Sequence, residues 1–383
     1  MSLIEPIVGF SDEMVAWRRD FHAHPEIGFQ EERTSGIVAE KLASWGIEVH
    51  RGIGKTGVVG VLKGRGQGRR VGLRADMDAL PMDEMTNLPY RSTNPGVFHG
   101  CGHDGHTTML LGAARYLAST RNFDGTVVFI FQPAEEGLGG ARAMLADGLF
   151  DRFPCDEVYG LHNSPVKPQG TISVRSDAAM AACDFFDIKI TGKGSHGANP
   201  HYGNDPTMIA VTLAQAMQTI VSRNVDPLKA AVLSITQLHA GSAYNVIPDN
   251  ALLTGTIRTF DQKTRETIRT RMRALATGIA TAYAATIEVD IREGFSVLDN
   301  QEANVQVVAE VARELVGGVE MAPNPNMASE DFADMLHVVP GAYFWLGTTP
   351  GPMLHNPGYV FDDQILPVGA SMLARIAERR TSA

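Results

Sequence analysis

The chain is poor in cysteine. Its three cysteines, Cys101, Cys155 and Cys183, are too few and too odd a set for a disulfide framework, and they point to a reducing compartment. It is also short of positive charge: 33 Lys and Arg against 43 Asp and Glu leave a formal charge of −10, so no basic stripe is available for nucleic acid. No apolar run approaches the ~20 residues a membrane helix needs. The opening MSLIEPIVGFSDEMVAWRRD carries acids and has no apolar run ending in small residues, so it does not read as a secretory signal. A cytoplasmic location is the expectation. Tandem repeats, low-complexity tracts and long linkers are missing. So are a GxSxG elbow, a Walker A loop, a GxGxxG turn opening a helix after a strand, and an HExxH helix.

What is present is a globular composition, 44% hydrophobic and 20% charged, in a 383-residue chain too long for one ordinary core. The 39 glycines suit the tight strand-to-helix turns of an α/β protein. Helical spacing runs over 12–23, where Trp17 and Phe21 lie four apart, over 34–44, and again through HTTMLLGAARYLAST. Between and after these come apolar strands: GVVGVL, RRVGLRADMDALP, GTVVFIFQPAEEG, DEVYGLHN and GAYFWLG. Continuous apolar strands alternating with helices predict a mainly parallel sheet with helices on both faces. Residues 184–295 read differently, as strand–helix–strand–strand–helix–strand, the order of a ferredoxin-like α+β unit. The expected organisation is a catalytic domain in two parts, 1–183 and 296–383, interrupted by that insertion.

In parallel sheets, ligands bind beyond the carboxyl ends of the strands. Here acid–base and metal-capable residues follow strand ends repeatedly: Asp76 and Asp78, Glu135 and Glu136, His162, then His355. One site built from many segments is the simplest account. The segment HGCGHDGH adds Cys101 and His103, whose thiolate and imidazole suit zinc or a related transition metal. By itself this stretch is equally compatible with a nucleophilic Cys101 and a His103 base. Asp104 reads as the N-cap of the following helix, and His99 and His106 as support. In PAEEG, an extended backbone would turn successive side chains to opposite sides. Glu136 could then hold metal while Glu135 reaches the attacking water. Asp78 fits the role of a carboxylate orienting a ligand histidine, and Asp76 is left open. In the insertion, GKGSHGANPH carries His196 and His201, with Asn245 and Arg258 beyond. Only domain closure or a second subunit could bring these to a metal.

Together RADMDALP, HGCGHDGH, QPAEEG, GLHN, GKGSHGANPH, NVIPD, GTIRTF, ASEDF and LHNPG resemble one family along nearly the whole chain. It is the amidohydrolase subgroup of the aminoacylase and carboxypeptidase-type metallopeptidases, which includes hippurate, N-acyl-amino-acid and auxin-conjugate hydrolases. The resemblance implies two divalent ions per subunit, zinc or manganese foremost, with cobalt or nickel as further options. Their ligands would be Cys101, His103, Glu136, His162 and His355, the Cys101 thiolate bridging. It further implies Glu135 as general base for a metal-activated water and His196 as oxyanion support from the same or a partner subunit. Asn245 and Arg258 would face the substrate, and a homodimer would form through the insertion. The expected substrate is an N-acyl amino acid; the alternative is a metallo-dipeptidase or aminopeptidase acting on free dipeptides. One departure stands out: the peptidase branch has HxD where this chain has Asp76-Met77-Asp78.

Overall fold

The computed structural model describes residues 2–382. The backbone divides into two compact units, one of 1–179, 298–324 and 331–383, the other of 180–297 and 325–330.

The first unit is built on an eight-stranded sheet. Its spatial order is Glu48–Ile53, Gly57–Lys63, Thr126–Gln132, Arg70–Asp76, Glu157–Ser164, Gly341–Gly347, Ile172–Val174 and Glu320–Met321. The four central strands, from Thr126–Gln132 to Gly341–Gly347, are mutually parallel, whereas the Glu48–Ile53 and Gly57–Lys63 hairpin joins antiparallel. The centre of the sheet is buried on both sides: Val127 to Gln132 are all inaccessible although alternate residues face opposite ways. Helices Ser11–Ala23, Glu32–Ser44, His103–Thr120, Glu302–Val316 and Leu366–Thr381 supply the covering layers, and their apolar faces join the strands in one core. Because the central strands run the same way, their carboxyl ends lie along one edge. That edge carries Asp76, the Pro133–Glu136 turn, His162 and the loop that follows Gly347.

The second unit has an all-antiparallel four-stranded sheet in the order Ala231–Ala240, Asn250–Thr259, Ala182–Thr191, Thr286–Glu293. Helices Pro206–Asn224 and Gln262–Tyr283 cover one face of it. Along Asn250–Thr259 every second residue is buried, as a sheet with one covered face requires. This is the ferredoxin-like arrangement. No helix among the described residues is long and apolar enough to cross a membrane.

Candidate metal centre

The helix His103–Thr120 begins abruptly. Gly102 adopts φ +90°, and a Cβ there would stand 2.5 Å from the Asn163 side-chain oxygen, so glycine alone fits between Cys101 and His103. The helix is buried without interruption from His103 to Ala114, so the His103 ring is packed on all sides. Its Nδ1 lies 3.2 Å from Asp78 Oδ1. A carboxylate accepts only, so Nδ1 carries a proton and Nε2 is the nitrogen turned into the site, free to ligate once a cation displaces any proton there. The other Asp78 oxygen accepts from Glu136 N at 3.0 Å, so one carboxylate fixes both residues.

His162 is set the same way by different means. Its Nδ1 donates to the Asn163 carbonyl at 2.8 Å, which leaves Nε2 as an acceptor 3.4 Å from Cys101 Sγ. Burial, reinforced by neighbouring His106, pushes His162 well below the ordinary histidine value and keeps that lone pair free. Burial also pushes the Cys101 thiol up, and the Glu136 carboxylate adds to the effect. His355 reaches in from a loop with its backbone at φ +63° and its amide bonded to the Gly100 carbonyl at 2.9 Å. Its Nε2 stands 3.3 Å from Glu136 Oε1.

Three sets of potential donor atoms each lie within 4.8 Å of one another: Cys101, His103 and His162; Cys101, Glu136 and His355; His103, Glu135 and Glu136. At their meeting point, His103 Nε2 and Glu136 Oε1 are buried yet make no hydrogen bond. Buried polar atoms without partners are costly unless something else meets them. The electrostatics agree. Asp76 and then Cys101 hold His103 well above its usual value in spite of burial, and Cys101 and Glu136 lift His355 to about 10. The negative charge facing His103 and His355 is charge a divalent cation would balance, and a set of one thiolate, three imidazoles and a carboxylate fits such an ion.

Two expectations need correction. Asp104 is not the helix cap: Gly102 holds that position without a side-chain bond. Asp104 lies inside the first turn and accepts from His22 Nδ1 at 2.8 Å and from Arg18 at 3.4 Å. The glutamate pair is not extended either. The strand stops at Gln132 and Ala134 turns at φ +54°, so the Glu135 and Glu136 carboxylates converge on His103 instead of diverging.

Asp76, undecided from the sequence, belongs to a buried relay. Its Oδ2 accepts from Arg74 at 2.7 Å and its Oδ1 lies 2.6 Å from His106 Nδ1. His106 Nε2 in turn lies 2.7 Å from the Asn163 side chain, which bonds Tyr359 at 2.6 Å. Arg74, wholly inaccessible, also donates to Gln132 at 2.8 Å and to Asp331 at 3.1 Å. The available signal was an arginine inside an apolar strand, VGLRAD, where a charge needs partners.

His196, Asn245 and Arg258 belong to the second unit. His196 is exposed on the short strand Ser195–His196, paired with Val246, while Gly197 N donates to the Asn245 carbonyl at 2.8 Å. The two loops are therefore neighbours. Arg258, on Asn250–Thr259, bonds the Thr256 hydroxyl and its own neighbour's carbonyl at 3.1 Å.

The chain resembles known proteins along nearly its full length. It is 45% identical over 379 residues to a hippurate hydrolase of Campylobacter jejuni, covering 98% of this chain and 99% of that one. It is 38% identical to an N-acetyl-L-cysteine deacetylase of Bacillus subtilis, covering 96% and 88%. Among solved structures, the YXEP protein of Bacillus subtilis, described as a dinuclear metal-binding peptidase, superposes with a TM-score of 0.85 at 35% identity, over 97% and 99% of the two chains. Residues 72–379 match the model of peptidase family M20/M25/M40. The chain belongs to that family and is a metal-dependent amidohydrolase of it.

Proposed function

We propose that this enzyme hydrolyses the amide bond of N-acyl amino acids, N-acetyl or N-aroyl, to a carboxylic acid and a free amino acid. The observation that carries the reading is the convergence of His103 Nε2 and Glu136 Oε1, buried and without a hydrogen bond, beside a second carboxylate, Glu135. Cys101, His103, Glu136, His162 and His355 would hold two divalent ions, zinc or manganese foremost. Bound there, the ions supply Lewis acidity, which makes a water acidic and polarises a carbonyl. Glu135 accepts the proton of the attacking water and returns it to the leaving amine nitrogen. Asp78 and the Asn163 carbonyl keep the His103 and His162 lone pairs aimed into the site. His196 steadies the oxyanion that develops on the substrate, and Asn245 and Arg258 hold the substrate, Arg258 through its carboxylate. These three roles rest on the family resemblance, as does a cytoplasmic homodimer assembled through residues 184–295 acting as lid and dimerisation domain.

The test is a panel of hippurate, N-acetyl amino acids and free dipeptides, assayed on metal-free protein reconstituted with zinc, manganese, cobalt or nickel. Turnover of the acylated substrates and none without metal is the expected result. Preferential turnover of free dipeptides would move the reading to a metallo-dipeptidase or aminopeptidase.

A further inference from the structure

The stretch PEIGFQEER, 25–33, has no part in the roles above, yet it touches both carboxylate-bearing turns. Next to Asp78, Ala79 N donates to the Glu26 carbonyl at 2.8 Å, and Ile27 and Ala79 form a parallel bridge. Next to Glu135, the buried Glu31 accepts from Ala134 N at 2.8 Å through Oε1. Its Oε2 accepts from the buried Thr56 hydroxyl at 2.6 Å. Gly28 closes the contact: a Cβ there would lie 2.9 Å from Ala134 Cα.

Ala134 is the residue whose left-handed backbone, φ +54°, turns the two glutamates toward His103. An alanine adopts that conformation only where its surroundings impose it. Glu31 is well placed to impose it. It sits at the head of helix Glu32–Ser44, whose first turn is held by the Glu26 carboxylate through Arg33 N and Thr34 N at 2.9 and 2.8 Å. Burial lifts the Glu31 carboxyl to about 7, and both protonation states leave an oxygen to accept from Ala134.

We propose that Glu31 is a positioning residue for the hydrolysis: by fixing the turn at Ala134 it aims the adjacent Glu135 carboxylate. This rests on Glu135 being the general base. With hippurate as probe, Glu31→Ala should lower kcat about 30-fold while KM stays within about twofold, as misaimed catalytic groups do. Metal content per chain should be unchanged, and hydrogen exchange at Ala134 should accelerate. Glu31→Gln keeps the accepting oxygen and should stay within about threefold of the parent enzyme. Unchanged kcat in Glu31→Ala overturns the proposal, as does a loss that Gln fails to restore or one accompanied by loss of metal. Should Glu31→Ala not fold, Thr56→Val decides: a fall in kcat at constant KM supports the proposal, and an unchanged kcat overturns it. Full turnover by Glu135→Gln would instead remove the general-base reading, and that result is obtained without any Glu31 variant.

Discussion

Each unit of the molecule buries a dense cluster of charge, and the two clusters differ in one respect. In the inserted unit, Asp184 is held by Arg265 at 2.5 and 3.1 Å and by Arg269 at 2.7 Å through both oxygens. Glu293 and the carbonyls of Cys183 and Phe295 take further donors of the two arginines. Asp184 has both oxygens satisfied within the cluster. Around Arg74, Asp76 and Asp78 the bonding is as dense, but it ends at His103 Nε2 and Glu136 Oε1, which make no hydrogen bond and meet charged neighbours of the same donor set, His355 Nε2 lying 3.3 Å from Glu136 Oε1. Density of buried charge therefore does not distinguish a scaffold from a site. What distinguishes them is whether the network closes on itself.

If that contrast is sound, disturbing the open network should affect chemistry, and disturbing the closed one should affect only stability. The largest effect is expected for Glu135→Gln, with kcat lower by about 10³-fold and metal content unchanged. Retention of turnover with hippurate or N-acetyl amino acids would break the comparison at its centre. His196→Ala should follow, at about 10²-fold in kcat if it supports the oxyanion, with two ions per chain still present by elemental analysis. Asp78→Asn replaces the carboxylate that orients His103 and should weaken metal affinity by about 10- to 100-fold, measured by chelator competition.

The closed network gives the smallest effect on activity. Asp184→Ala leaves two buried arginines without their shared partner and should cost about 3 kcal/mol of stability, while kcat of the folded enzyme is unchanged. Its pH dependence has a defined sign. Burial opposes the Asp184 charge, but hydrogen bonds from Arg269 and Arg265 outweigh it and hold the carboxyl below its ordinary value. A carboxyl depressed on folding adds stability above its unfolded pKa of about 3.9 and loses it as pH falls through the folded value. Acid unfolding followed by circular dichroism should therefore be less steep in Asp184→Asn than in the parent.

The layout of the fold was readable because its central strands are continuous apolar runs and its helices are strongly periodic. The residues at strand ends were readable for the same reason: once the strands are parallel, their carboxyl ends must share an edge. Backbone exceptions were not readable. The left-handed turn at Ala134 carries no glycine, so the pattern PAEEG looks extended, a conformation that would send the two glutamates in opposite directions. Asp104 followed the usual preference for a cap, but the left-handed Gly102 had already taken that position. The Arg74–Asp76–His106–Asn163 relay joins residues from three segments: the arginine in VGLRAD signals that partners exist, but nothing local says which they are. Glu31 looks like one more surface acid in FQEER, because burial by a distant turn leaves no trace in the neighbouring sequence.

The order of the donor residues along the chain has a consequence for assembly. Cys101, His103, Glu136 and His162 precede the insertion, and His355 follows it. An ion held by both groups would act as a reversible cross-link across the inserted segment, binding the folded chain and not the unfolded one. Each tenfold rise in free metal above its dissociation constant would then add about 1.4 kcal/mol to the stability of the folded state. A cut within the insertion would leave the two flanking pieces joined by their shared sheet, and chelation would weaken that union by the metal's share of the stability.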